Sequence, residues 1–195
     1  MRLPARATAR AWSLQIEKIH FELWRNDDEK KQRPQSVKWA TSDRHDRRYG
    51  ACMAVFAILL APMDFLLEVD AQHLNGPTNV GFGLMFGYTD PSYTYRFFIA
   101  QHGYYALQKF VDGVGTDLAS WAQTPAFITE EQGVNRLGLL VQDEDITLLA
   151  NDQVLTQVKD AAMITGTLGL IAASADVTGL EVAFDNVELW QLDDD

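Results

Sequence analysis

Residues 80–111 read VGFGLMFGYTDPSYTYRFFIAQHGYYALQKFV, and this stretch decides the fold class. Its first part places an apolar residue at every second position from Val80 to Phe86, which is the spacing of a strand with one buried face. Two further strand-like runs follow, and turn-forming residues at 88–91 and at 101–103 precede them. The stretch therefore predicts three consecutive strands joined by turns.

Glycine alternates with these apolar residues at Gly81, Gly83 and Gly87. A strand face without side chains invites close approach by another layer or by a ligand. The same succession of short strands and turns extends from residue 63 to the C-terminus, with no convincing helical period. This pattern predicts an all-β sandwich or barrel. In the last strand, core-type residues at Phe184 and Val187 are three positions apart, so we expect a β-bulge between them.

Charge divides the chain into a basic N-terminal segment and an acidic remainder. Residues 1–50 hold 12 of the 16 Lys and Arg against 7 acidic residues, a net charge of about +5, whereas residues 51–195 carry about −16. We therefore predict a basic, partly irregular extension over 1–48 and a domain over 49–195. The extension either packs on the acidic surface or serves as a docking arm for an anionic partner. The total of −11 argues against nucleic acid and anionic membranes as partners.

Two segments before residue 63 allow more than one interpretation. Residues 14–23 fit either a bulged strand or an amphipathic helix. The apolar run 51–61, ACMAVFAILLA, is too short to cross a bilayer as a helix, so we expect a buried strand and no membrane insertion. The arginines before it also resemble the flank of a signal sequence, although no secretory signal begins at Met1. A single cysteine, Cys52, allows no internal disulfide.

Several stretches of the domain resemble a known family, the concanavalin A-like lectins and glucanases. More narrowly, they resemble bacterial laminin-G-like and 3-keto-disaccharide-hydrolase-type domains. The resemblance implies an antiparallel jelly-roll of two curved sheets, one concave, and an extracellular or cell-surface location. The usual Asn-Gly of one hairpin reads Asn151-Asp152 here. The stretches are FLLEVDAQ at 65–72, residues 81–113, NRLGLLVQDEDITLLANDQVL at 135–155 and VAFDNVELW at 182–190.

The first of these stretches carries a possible catalytic motif. Laminarinase-type hydrolases of this fold use E-x-D-x-E, in which strand alternation places three carboxylates on one sheet face. Glu68 and Asp70 match the motif, but the third position is Gln72, whose amide cannot act as a general acid or base. We therefore assign no catalytic residue. An altered active site and purely structural roles for Glu68 and Asp70 both stay open.

Aromatic and basic residues on the tyrosine-rich strands form the candidate binding site. Sugars bind by stacking on aromatic faces while polar side chains hydrogen-bond to their hydroxyls, and a cation can fix a ligand oxygen. Alternatively, half of the tyrosines belong to the core and Arg96 pairs with a neighbouring acid. The ligand-binding residues that we predict on the concave sheet are Arg96, Tyr95, Tyr93, Trp121, Lys109 and Tyr88.

These observations predict a non-catalytic binding module for a carbohydrate or a protein partner. The alternatives are a glycoside hydrolase of the 3-keto-disaccharide type and a structural subunit docked through residues 1–50. We predict no cofactor and no metal site, because the four histidines lack metal-ligand spacing. Asp90 and the acidic turn 143–145 could bind Ca²⁺, but without a D-x-D-x-D-G pattern a solvated hairpin is favoured. The sequence leaves the oligomeric state open.

Overall fold

The computed structural model describes residues 10–13, 19–23, 45–46, 51–61, 64–162, 165–175 and 179–192. Before residue 61 and at 174–175 this description covers the backbone alone. Within these ranges the regular elements are all β-strands, which confirms the all-β prediction. The strands are β1 (Arg10–Ser13), β2 (Ile19–Leu23), β3 (His45–Asp46), β4 (Ala51–Leu60), β5 (Phe65–Asn75), β6 (Phe82–Asp90), β7 (Tyr93–Ala100), β8 (Tyr104–Val111), β9 (Val114–Gln123), β10 (Val134–Gln142), β11 (Asp145–Ala150), β12 (Gln153–Lys159), β13 (Thr167–Ala175) and β14 (Leu180–Gln191).

The strands form two antiparallel sheets packed face to face. The first sheet has the order β1-β14-β5-β10-β11-β12, and β2 also pairs with β14. The second has the order β3-β4-β13-β6-β7-β8-β9. From β4 onward the chain crosses repeatedly between the sheets, because β5, β10–β12 and β14 belong to the first and the intervening strands to the second. This is the two-sheet jelly-roll sandwich that the sequence predicts.

The inner faces of the two sheets share one hydrophobic core. Phe65, Leu67 and Val69 of β5 are buried in it, as are Phe97 and Ile99 of β7. These residues stand at alternate positions, so the period-two pattern in the sequence marks the inner face as expected. Apolar burial between the two layers is the main favourable term in folding a sandwich of this kind.

The glycine-bearing face of β6 is occupied by the neighbouring strand of the same sheet. A Cβ atom at Gly83 would lie 2.3 Å from the carbonyl oxygen of Phe97, and one at Gly81 would lie 2.9 Å from the Phe98 ring. Gly83 also has a φ of 154°, which L side chains rarely adopt. The close approach expected from the sequence is therefore made by β7.

Two local irregularities also match the sequence. The pairing of β14 with β5 shifts register between Asp185 and Glu188, and Asn186 has a φ of 50°, so the β-bulge lies where we expect it. The β11–β12 hairpin turns at Asn151 and Asp152, whose φ values are 49° and 64°. Two central residues with positive φ are the mark of the type I′ turn that suits strand twist.

Strands from the N-terminal segment pair with both sheets. β1 and β2 both hydrogen-bond to β14, and β3 hydrogen-bonds to β4. Residues 19–23 thus form a strand and not a helix, and the apolar run 51–61 supplies β4. The predicted burial of that run and of Cys52 falls outside the described side chains. The domain division at residue 48 stays a prediction.

Candidate functional site

The outer face of the second sheet carries an aromatic pair on β7 and β9. The rings of Phe98 and Trp121 are stacked, with their centroids 6.3 Å apart and their planes 14° from parallel. Phe98 is only 5% exposed, whereas Trp121 is 43% exposed. The Trp121 ring therefore lies at the surface on a buried aromatic support.

A row of polar side chains lies beside this aromatic pair. Arg96, Gln108 and Asp117 occupy paired positions on β7, β8 and β9, and Gln108 Nε2 donates to Asp117 Oδ1 at 2.9 Å. Arg96 Nη2 donates to the carbonyl of Pro91 at 3.2 Å, and its guanidinium carbon lies 3.8 Å from the Phe110 ring centroid. This cation–π contact and the hydrogen bond fix the guanidinium. The β7–β9 face, as we name this surface, comprises Arg96, Phe98, Gln108, Phe110, Asp117 and Trp121.

The neighbouring part of the same outer face is apolar and closed. Met85 of β6 and Ile171 of β13 are fully buried and cluster with Phe98, and Tyr88 packs half-buried against them. A ligand would therefore reach this sheet on the β8 and β9 side, where Trp121 and Asp117 are exposed.

The structure separates the six predicted site residues into three groups. Arg96, Trp121 and Tyr88 lie on the outer face. Tyr95 is fully buried in the core, where its Oη donates to Asp160 Oδ2 at 2.5 Å, and Lys109 Nζ reaches the same oxygen at 2.6 Å. A ligand on the outer face would not touch these two residues, so the predicted set needs correction. Strand alternation is the physical reason, because Tyr95 and Arg96 are adjacent and point to opposite faces.

Tyr93, the remaining predicted residue, is engaged at the end of the sheet. Its hydroxyl donates to the Asp112 carboxylate in the β8–β9 turn, and this hydrogen bond raises the pKa of Tyr93. Tyr93 also has the same strand parity as Tyr95, which places it outside the β7–β9 face.

Sequence reasoning missed four members of the β7–β9 face, and strand parity could have found one of them. Phe98 is two residues from Arg96, so period two alone puts both on one face. Phe110 has the same parity as Gln108 on β8, so it follows only once Gln108 has been placed. The membership of Gln108 and Asp117 depends on the register between strands, which no local pattern gives.

The carboxylates of the E-x-D motif belong to an ion network on the outer face of the first sheet. Arg136 Nη2 lies 3.0 Å from Glu68 Oε2 and 2.6 Å from Glu188 Oε2, and Nη1 lies 3.2 Å from Asp70 Oδ1. Burial would lower the pKa of Arg136, but the carboxylates of Glu68 and Asp70 raise it overall. The amide of Gln72 donates to a backbone carbonyl at 2.7 Å. One guanidinium thus holds three carboxylates together.

The residues that could hold a metal are dispersed. In the described part of the chain there is no group of three or more His, Cys, Asp or Glu side chains placed to bind an ion. Asp90 ends β6 in the second sheet, whereas the acidic turn 143–145 belongs to the first, so the two acidic elements do not combine. Nor do the described residues include a helix long and apolar enough to cross a membrane.

Comparison with known proteins finds the fold in several solved structures. Carbohydrate-binding module CBM66 from Bacillus subtilis has a TM-score of 0.55 and 20% identity, over 77% of this chain and 90% of that one. Protein CB05 from A. japonicus has a TM-score of 0.54 and 11% identity, over 73% of this chain and 24% of that one. The β-glucanase of Bacillus licheniformis has a TM-score of 0.50 and 10% identity, over 73% and 71%.

At these identities the likeness is one of fold. The chain is a two-sheet jelly-roll sandwich, a fold that it shares with a carbohydrate-binding module and a β-glucanase. No protein-family model and no curated protein matches the sequence.

Proposed function

We propose that the chain is a carbohydrate-binding module and that the β7–β9 face is its binding surface. The observation that carries this proposal is the exposed Trp121 ring, stacked on buried Phe98 beside Arg96, Gln108 and Asp117. An aromatic face packs against the C–H groups of a sugar ring, while convergent polar groups bond to its hydroxyls. The fold shared with a carbohydrate-binding module supports this assignment.

The polar row also suits a ligand rich in hydroxyl groups. The row supplies a donor-only guanidinium, an amide that both donates and accepts, and an acceptor-only carboxylate. A polyol can use all three, because each hydroxyl donates once and accepts twice. Within the fold class we assign the chain to the laminin-G-like and 3-keto-disaccharide-hydrolase-type group on its sequence motifs, with an extracellular location.

The first test is a glycan array followed by calorimetric titration of the best ligand. We expect Trp121→Ala to weaken binding about tenfold or more, because it removes the stacking surface. Arg96→Gln should weaken it similarly by removing the charged donor. Val114→Ala is the matched control, because Val114 is a 68% exposed apolar residue of the same strand and lies outside the proposed site.

Two results would contradict the proposal at different levels. Unchanged affinity in folded Trp121→Ala and Arg96→Gln proteins would show that the β7–β9 face is not the binding surface. Failure of the wild-type chain to bind any glycan would remove the function itself.

Glycoside hydrolysis is the alternative function that one observation favours. Glu68 and Asp70 lie on the same face of β5, and the fold is shared with a β-glucanase. A panel of disaccharides, including 3-keto forms, tests it by release of free sugar. Release that is lost in Glu68→Gln and kept in Trp121→Ala would replace the binding module with an enzyme.

A further inference from the structure

A pocket opens on the outer face of the first sheet, away from the β7–β9 face. Its volume is about 250 Å³. Leu140, Thr147 and Gln157 occupy paired positions on β10, β11 and β12, and Gln142 pairs with Asp145 in the next row. The residues that line the β10–β12 pocket, as we name it, are Leu140, Gln142, Asp143, Asp145, Thr147 and Gln157.

The buried side of this pocket is apolar apart from one hydroxyl. Leu140 packs in a buried cluster with Leu66 and Leu149. Thr147 is 3% exposed, yet its hydroxyl makes no hydrogen bond within the described part of the chain. Because Thr147 lines the pocket, this hydroxyl is placed to hydrogen-bond to a group that enters from outside.

The rim of the pocket is negatively charged and held in place. Asp143 and Asp145 flank the β10–β11 turn, and the backbone N–H of Asp143 donates to the Asp64 carboxylate at 2.7 Å. Asp145 pairs with Lys159 at 3.1 Å, and this lysine is largely exposed to water. The rim therefore carries two carboxylates and one solvated cation in a domain that is itself acidic, which favours a cationic ligand.

We propose that the β10–β12 pocket binds a protonated amino sugar. The ammonium group would lie between the carboxylates of Asp143 and Asp145, where charge-assisted hydrogen bonds form. The ring hydroxyls would meet the amides of Gln142 and Gln157 and the hydroxyl of Thr147. A pocket below the roughly 300–1,000 Å³ typical of drug-sized ligands suits one sugar ring.

The pocket suits an organic cation better than a metal ion. The side chain of Leu140 offers apolar packing to the C–H groups of a ring and offers nothing to a bare ion. Calcium also takes six to eight oxygen ligands, and the described residues contain no group of three metal-binding side chains here or elsewhere.

The test is an NMR titration of the ¹⁵N-labelled full chain with glucosamine, glucose and N-acetylglucosamine. We expect glucosamine to shift the amide signals of β10–β12 and to bind at least about tenfold more tightly than the two neutral sugars, because only it carries the ammonium group. Asp145→Asn should remove this preference, and Thr147→Val should weaken binding at unchanged shape. Glu131→Gln is the matched control and should bind normally, because Glu131 is an exposed acidic residue that belongs to neither proposed site.

Several outcomes would overturn this proposal. They are equal binding of glucose and glucosamine, displacement of glucosamine by calcium chloride at the same signals, and no shift in β10–β12. Shifts confined to β7–β9 would overturn it while supporting the carbohydrate-binding proposal. The two sites use different residues on different sheets, so either can fail alone.

Discussion

The side chain of Asn151 connects the β11–β12 turn to β10 and to the segment between β9 and β10. Its Oδ1 accepts the backbone N–H of Arg136 at 2.9 Å, and its Nδ2 donates to the carbonyl of Ala126 and to Asn135 Oδ1 at 2.8 and 2.9 Å. Asp152, the next turn residue, is exposed and has the more positive φ, 64°. Asn151 is therefore needed for its side-chain hydrogen bonds, whereas Asp152 only has to adopt the backbone conformation of the turn.

This difference predicts opposite effects of glycine at the two positions. Asp152→Gly should raise the free energy of unfolding by about 0.5–1 kcal/mol, because glycine adopts positive φ without steric cost. Asn151→Gly should lower it by about 2 kcal/mol, because three hydrogen bonds are lost. Urea unfolding of both variants measures this, and equal effects of the two substitutions would contradict it.

At the scale of residues, strand alternation predicts from the sequence which side chains face the core. The alternation in β5 and β6 gives the core face correctly, and the three-residue spacing from Phe184 to Val187 gives the bulge. Grouping Tyr95 with Arg96 ignored that neighbouring residues of a strand face opposite ways. The Asp160 partner of Tyr95 is 65 residues away, so sequence alone had no means to find it.

At the scale of single elements, β6 and β7 approach each other more closely than side chains would allow. Gly83→Ala should therefore be strongly destabilising, because the new Cβ meets the Phe97 carbonyl oxygen in addition to roughly 1–3 kcal/mol of backbone strain. Gly179→Ala is the control, because Gly179 also has positive φ, 82°, but nothing lies within 4 Å of its Cβ position. Comparable losses of unfolding free energy in the two variants would refute the close contact.

The elements that sequence left ambiguous are those defined by long-range pairing. Residues 19–23 fit two local patterns, and their strand geometry comes with pairing to β14, from Ile19 opposite Phe184 to Leu23 opposite Leu180. A propensity is a weak preference that tertiary context overrides. Turns and alternation specify the strands β5–β8 and β10–β14 locally, so these were predictable. β9 was not, because residues 118–125 read as irregular in the sequence.

On the scale of the whole molecule, polar side chains connect the two sheets along β12. Asp160 follows β12 in the first sheet and accepts hydrogen bonds from Tyr95 and Lys109 of the second. Tyr105 of β8 likewise donates to the carbonyl of Leu155 in β12 at 3.1 Å. These bonds fix the sheets relative to each other, which hydrophobic packing alone specifies less sharply.

This connection predicts a pH dependence of stability. Burial would raise the pKa of Asp160, but hydrogen bonds from Lys109, Tyr95 and the Ala162 N–H lower it overall. Its stabilising contribution is therefore complete above the ordinary carboxyl pKa of about 3.9 and is lost as the pH falls through the lowered value. The stability difference between wild type and Asp160→Asn should be largest at pH 7 and shrink below about pH 4.

Denaturant unfolding between pH 3 and pH 7 measures this difference. Tyr95→Phe removes one of the hydrogen bonds that lower the pKa, so the loss of stability on acidification should be smaller in that variant. A constant difference between wild type and Asp160→Asn over the whole range would show that the connection does not depend on the ionised carboxylate.

The position of β14 between β1, β2 and β5 has a consequence for synthesis on the ribosome. β5 ends at residue 75 and its partner β14 begins at residue 180, so about a hundred residues are translated between them. At roughly 5–20 residues per second, one edge of β5 waits about 5–20 seconds for its partner. Unpaired strand edges promote association between nascent chains, so this edge of β5 is open to such association until β14 emerges.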